Sequence, residues 1–134
     1  MTSELSQKAK DFLQERRFAV LATINQDGTP QLTTMWYLFE NDMIVMNTKM
    51  GRVKDRNMRR DPRISVCFEN GYSYLTISGT AELIDDPEIA QHDIHRLAVR
   101  YNGEENARRQ VEQTFSKERR VTIHLRCEQV IDRL

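Results

Sequence analysis

The spacing of turn signals constrains this chain most. Apolar runs of strand length recur through the first half of the sequence, and several are separated by only a few turn-forming residues. Residues 18–24 form the first run and lead into Asn25-Gln26-Asp27-Gly28-Thr29-Pro30. Asp-Gly tolerates the positive φ of a hairpin turn. Residues 31–39 follow, rich in threonine and aromatics as a strand should be. Glu40-Asn41-Asp42 then reverses the chain into residues 43–48. Parallel neighbours need a crossover of a dozen residues or more, so these three strands pair antiparallel, as the start of a meander. A doubly wound parallel sheet is thereby rejected, and its glycine-rich fingerprint is absent.

An amphipathic helix over about residues 3–15 precedes the meander, with Leu5, Ala9, Phe12 and Leu13 as its apolar positions. After the third strand, residues 52–60 lose the alternation, gain charge and stop before Asp61-Pro62, which predicts a short helix. Strands are expected at 64–69 and 74–83, with Asn70-Gly71 turning between them. Ile64, Val66 and Phe68 share one face. Asp86-Pro87 is an ordinary helix opening, so a helix should run from 87 to about 101. Asn102-Gly103 ends it and a second helix spans 104 to about 116. A last strand, 120–125, extends toward Ile131. The expected fold class is α+β: an antiparallel, six-stranded barrel with short flanking helices.

The length of 134 residues fits one domain, residues 1–134. No stretch approaches the roughly 20 apolar residues that span a bilayer. The N-terminus lacks a basic region followed by an apolar one, so no secretory signal is expected and the default location is cytoplasmic. Twenty basic residues balance twenty acidic ones, which gives no global attraction to nucleic acid or anionic membranes. Cys67 and Cys127 lie far apart in apolar runs and are expected to be buried, reduced thiols.

Chemistry concentrates at Thr48-Lys49-Met50-Gly51-Arg52-Val53-Lys54-Asp55-Arg56-Asn57. A strand ends, a glycine permits a tight entry, and a helix starts with Arg52 and Lys54 in its first turn. Free N–H groups at a helix start favour an anion, whereas cations there oppose the macrodipole unless a negative ligand is present. The competing reading is a solvated basic face balanced by Asp55 and Asp61. A second feature is the strand Gln31-Leu32-Thr33-Thr34-Met35-Trp36-Tyr37. Gln31, Thr33, Met35 and Tyr37 share one face; Leu32, Thr34 and Trp36 share the other. Hydroxyls and aromatics on a strand can hold a flat heteroaromatic ring, although core or dimer packing is the commoner role of such aromatics. His92, His95 and Asp93 on one helix and His124 on a strand do not make a convergent zinc set. Basic residues at 52, 54, 56, 59, 60 and 63 lack the interleaved aromatics of a nucleic-acid surface. Cys67 has no histidine near it in sequence and is expected to be inert core.

Taken together, Val20-Leu21-Ala22-Thr23, Asp27-Gly28-Thr29-Pro30-Gln31, Met35-Trp36-Tyr37, Gly51 through Asn57, Arg60-Asp61-Pro62-Arg63, Gly79-Thr80-Ala81-Glu82 and Tyr101-Asn102-Gly103 form an ordered set. The set resembles the pyridoxamine 5′-phosphate oxidase-like family of FMN-binding split barrels, and within it the branch that uses the deazaflavin coenzyme F420. The resemblance implies a homodimer with cofactor sites at the subunit interface. It further implies that Arg52 and Lys54 hold the cofactor phosphate with Asn47 and Thr48 nearby, and that Gln31, Thr33, Thr34, Met35 and Trp36 line the ring system. Pyridoxamine phosphate oxidases themselves carry substrate-binding arginines in a longer C-terminal part; this sequence stops at Leu134, so oxidation of vitamin B6 is not expected. The expected function is hydride transfer between bound F420 or FMN and a small conjugated organic acceptor, with the cofactor carrying the redox chemistry. No catalytic protein residue, metal, membrane or nucleic-acid partner is expected. Two rivals are a flavin-binding storage or sensing protein without turnover and, behind it, nucleic-acid binding through residues 52–63.

Overall fold

A computed structural model describes residues 4–134. The elements, in chain order, are α1 (Gln7–Gln14), β1 (Ala19–Ile24), β2 (Pro30–Met35), β3 (Leu38–Glu40), β4 (Met43–Lys49), α2 (Val53–Arg60), β5 (Arg63–Asn70), β6 (Ser73–Ile84), α3 (Pro87–Asn102), α4 (Glu104–Gln113), a 3-10 turn (Phe115–Lys117), β7 (Arg120–Arg126) and β8 (Gln129–Arg133). Every ladder is antiparallel. The strand order is β2-β1-β5-β6-β7-β4-β3, with β8 also paired to β6. β2 and β3 stand at opposite ends of that order yet follow one another in sequence. The sheet therefore curls until its two ends meet at Trp36-Tyr37, where no ladder joins them among the described residues. This is a split β-barrel.

Eight strands replace the expected six, and both additions have local causes. The single strand expected over 31–39 breaks because the Tyr37 backbone bonds to a helix. Its N–H donates to Tyr101 Oη at 3.1 Å, and its carbonyl accepts from the Arg100 guanidinium. The strand expected to run from 120 toward Ile131 turns a corner at Cys127-Glu128. β7 then pairs with Ala81–Ile84 of β6, and β8 with Tyr74–Ser78. Gly79 lies between those two stretches, and a Cβ placed there would sit 3.0 Å from Leu125 Cδ1 and 3.1 Å from the Arg126 carbonyl. The absence of a side chain lets the corner pass close over β6.

Helix boundaries also shift. α1 starts at Gln7, capped by Ser6, whose hydroxyl accepts from the Ala9 N–H at 3.0 Å; such a cap contributes about 1 kcal/mol. The helix expected from Ser3 begins outside the described residues. The second C-terminal helix stops at Gln113, and Phe115–Lys117 tightens into the 3-10 turn.

Alternation along the strands builds the core. Leu21, Met46, Val66, Phe68, Leu75, Ile77, Ile123 and Leu125 face inward and have no accessible surface. Each large apolar side chain so buried contributes about 1.5–3 kcal/mol relative to exposure. Ala9, Phe12 and Leu13 of α1 close one end. Tyr37 is wholly buried there, donating its hydroxyl to the Leu13 carbonyl at 3.0 Å and meeting Phe68 edge-on. On the outside of β4 and β7 lies α3, which buries Ala90, Asp93, Ile94, Leu97, Ala98 and Tyr101 at helical spacing. The outer face of β1 and β2 has no such cover. Phe18, just before β1, is 58% exposed and Leu32 is 64% exposed.

Cys67 is not core, contrary to expectation: it alternates with inward Val66 and Phe68 and is half-buried on the other face of β5. Cys127 is half-buried at the β7–β8 corner. Its thiol donates to the Asp42 carbonyl at 3.6 Å, and burial pushes its pKa up to about 11. No helix among the described residues is long and apolar enough to cross a membrane.

Candidate functional site

The site is built where β4 hands the chain to α2. Gly51 has a φ of +92°, the left-handed region open to glycine. It turns the chain so that Arg52 becomes the N-cap of α2, with no side-chain capping bond. The capping work falls to Asp55, whose carboxylate accepts from the Gly51 N–H at 2.7 Å and from Arg59 Nε at 2.9 Å. Arg59 continues to Asp85 at 2.8 Å, and Asp61 is held by Arg63 at 2.7 Å. Arg56 bonds to the Gly51 carbonyl and Arg60 to the Ile24 carbonyl. Most of the basic run is thus occupied in fastening α2 to its surroundings.

Arg52 and Lys54 are the exceptions. Neither side chain has a hydrogen bond or ion pair among the described residues, and the two acidic residues of the segment are engaged elsewhere. Lys54 is only 8% exposed. Burial pushes its pKa down, and the nearby charges of Arg52 and Arg120 push it further. A buried ammonium without a counter-charge is destabilising, and an anion bound at the start of α2 would relieve it. Thr48 Oγ1 is likewise buried with no partner.

Beside this helix start lies a cavity of about 210 Å³. Thr34, Met35 and Trp36 form one side and Arg52 part of the rim. Asn47 of β4 and Arg120 of β7 lie on the sheet face beneath, and Ile94 and Leu97 of α3 cover them. Thr114, Phe115 and Glu118, between α4 and β7, complete the wall. Trp36 stacks on Tyr101 with 5.2 Å between ring centroids and meets Phe115 edge-on at 6.5 Å. Larger surface clefts, of about 600 and 430 Å³, involve Lys10, Asp42 and Cys127 in one case and Arg63, Ser65 and Ser78 in the other. Neither includes Arg52, Lys54 or Arg120.

Arg120 was not singled out by the sequence reading. It is 6% exposed, donates from Nε to Asn47 Oδ1 at 3.0 Å and from Nη1 to Glu118 at 2.8 Å, and lies over the Phe115 ring. Burial lowers its pKa, against the raising effect of Glu118. The available signal was the polar alternation Arg120, Thr122, His124 in an otherwise apolar strand, which marks the face covered by α3. Beneath the cavity this face carries a continuous network. Asn47 donates to the Ala90 carbonyl at 2.9 Å and to Thr122 Oγ1 at 3.3 Å; Thr122 donates to Asp93 at 2.8 Å; Arg96 links Asp93 to Glu40.

The nine residues anticipated for a cofactor site fall into two groups. Thr34, Met35, Trp36, Asn47 and Arg52 come together at the cavity. Gln31 and Thr33 are half-buried farther along β2, opposite Thr23 and Leu21 of β1, and do not line it. Thr48 faces the barrel interior with Met46, opposite to Asn47. Lys54 lies outside the lining, within α2. His92 and His95 are exposed on α3, and no group of three metal-ligating side chains occurs among the described residues.

Comparison with known proteins matches residues 5–133 to the family described as pyridoxamine 5′-phosphate oxidase. Among solved structures, the Mycobacterium tuberculosis protein Rv2991 is 32% identical, with a TM-score of 0.76 over 95% of this chain and 83% of that one. A protein described as an F420 reductase is 26% identical, with a TM-score of 0.79 over 95% of this chain and 98% of that one. HutZ, described as the heme storage protein of Vibrio cholerae, is 18% identical with a TM-score of 0.72 over 96% of this chain and 94% of that one, a likeness of fold alone.

Proposed function

We propose, from the premise that this chain belongs to the pyridoxamine 5′-phosphate oxidase family, that it is an oxidoreductase using F420 or FMN to reduce a small conjugated organic acceptor. One observation carries the cofactor reading: Lys54 is a buried cation with no partner, beside two further cations, at the N-terminal turn of a helix. Both cofactors present a phosphate, and that arrangement is what a phosphate requires. The orphaned Thr48 hydroxyl is a second group of the kind that a bound phosphate would satisfy. The likeness to the F420 reductase favours the deazaflavin.

In this reading Arg52 and Lys54 hold the phosphate, with Asn47 and Thr48 nearby. Gln31, Thr33, Thr34, Met35 and Trp36 lie along the ring system. The bound cofactor supplies the hydride. The protein supplies position, a water-poor wall and fixed charge, with no protein acid or base required. The uncovered apolar surface at Phe18, Val20 and Leu32 supports a homodimer, whose second copy would cover it.

Titration of the purified protein with oxidised F420 and with FMN, followed by cofactor fluorescence, tests the proposal. Saturable binding of either is expected. Lys54→Ala should weaken it by ~1.5–3 kcal/mol, the range for hydrogen bonds to charged groups. Unchanged affinity in that variant would remove the phosphate assignment, and binding of neither cofactor would remove the function.

A further inference from the structure

The cavity under α3 has a polarity of its own. Ile94, Leu97, Trp36 and Phe115 give it an apolar and aromatic wall, and Trp36 and Phe115 meet at 89° to form a corner for a flat ring. At the other pole lie Arg52 and Arg120, with Glu118 as the single carboxylate in the lining. Glu118 is shared between Arg120 at 2.8 Å and Lys49 at 3.8 Å, so positive charge predominates. Arg120 is nine-tenths buried. Asn47 and Glu118 fix its Nε and Nη1, while Nη2 makes no hydrogen bond among the described residues. A guanidinium held on one edge with its remaining donors unused is pre-organised to receive a planar anion.

Size narrows the ligand. A cavity of about 210 Å³ lies below the roughly 300–1,000 Å³ of sites for drug-sized molecules. It exceeds the ~150 Å³ that accommodates benzene in an engineered apolar core. One six-membered ring with a small charged substituent fits; a three-ring system does not fit within it.

We infer that this cavity is a separate ligand subsite that binds a single-ring aromatic carboxylate, with Arg120 taking the carboxylate and Trp36 and Phe115 flanking the ring. The inference rests on the proposed function only for what the subsite does in turnover, where its occupant would lie beside the cofactor as substrate. Binding at the subsite is independent of that reading.

The chain has one tryptophan, and it is in the wall, so its fluorescence reports occupancy. Benzoate titrated into cofactor-free protein should change Trp36 emission saturably. Acetate, which lacks the ring, and methyl benzoate, which lacks the charge, should bind at least tenfold more weakly. Arg120→Met should lose tenfold or more in benzoate affinity. Thr114→Phe, a change at an exposed rim position, should block the cavity without disturbing the core, and it decides the matter if Arg120→Met does not fold. No saturable response to benzoate overturns the subsite, as does wild-type affinity in the folded variants. The titration repeated on cofactor-loaded protein separates the two readings. Benzoate binding retained beside a bound cofactor supports both. Benzoate displaced by the cofactor gives the cavity to the cofactor and overturns the subsite. Benzoate bound by a protein that takes up neither cofactor leaves the subsite standing and removes the proposed function.

Discussion

The hydroxyl of Tyr101 takes the place of a neighbouring strand for the backbone of Tyr37. It accepts the Tyr37 N–H at 3.1 Å and donates its own proton to the Arg17 carbonyl at 2.6 Å. One phenol on α3 thereby satisfies two backbone groups at the place where the barrel is split. The same ring stacks on Trp36, which ties the break in the sheet to the wall of the cavity.

Tyr101→Phe keeps the ring and removes both bonds. It leaves the buried Tyr37 N–H without an acceptor, which costs about 1–3 kcal/mol. Urea unfolding should show that loss with an unchanged m-value. Stability equal to that of the parent protein would mean that the strand break does not depend on the hydroxyl.

The depressed pKa of Lys54 has a consequence for stability. An unfolded lysine titrates near its ordinary 10.5, so between the lower native pKa and 10.5 the unfolded chain binds more protons than the native one. Stability then rises with pH across that window. Lys54→Met should remove this part of the slope and raise the stability of the ligand-free protein below it. Inorganic phosphate should protect the parent protein thermally and protect Lys54→Met much less. Thermal unfolding of both proteins against pH, with and without phosphate, checks all three. A parent slope retained in Lys54→Met would show that other groups produce it.

Gly79 should tolerate no side chain. An alanine Cβ there meets backbone at 3.1 Å as well as Leu125, and backbone at a strand corner has little room to yield. Gly79→Ala is expected to destabilise by about 1–3 kcal/mol, the usual cost of overpacking. Denaturant midpoints measure it, and a neutral result would show that the β7–β8 corner is pliable.

Much of this architecture was legible because turns and alternation are local properties. Asp27-Gly28 and the pattern Ile64, Val66, Phe68 need no tertiary knowledge to interpret. The break at Tyr37 and the corner at Cys127 were not legible, since each arises from a partner distant in sequence: Tyr101 and Arg100 in one case, the close approach to Gly79 in the other. The site divides along the same line. Arg52 and Lys54 were visible as charges opposing a helix dipole, a conflict contained within a few residues. Arg120 looked like one more basic residue in Glu118-Arg119-Arg120. Its role emerges only when β7 pairs with β4 and brings it against Asn47, while α3 and the segment before β7 enclose the pair. The inward turn of Thr48 away from Asn47 follows from strand parity, but proximity in sequence obscured it.

The enclosure of the cavity has an evolutionary reading. Its roof, from Ile94 and Leu97 to Thr114 and Phe115, belongs to the α3-to-β7 excursion, whereas the cationic helix start belongs to the β4–α2 junction. Substitutions in the roof can remodel what fits beneath it while the barrel's hydrogen-bond ladders and the anion-attracting helix start stay unchanged. A lineage built on this plan can diversify its ligands by drift in one excursion, with the rest of the molecule serving as a constant chassis.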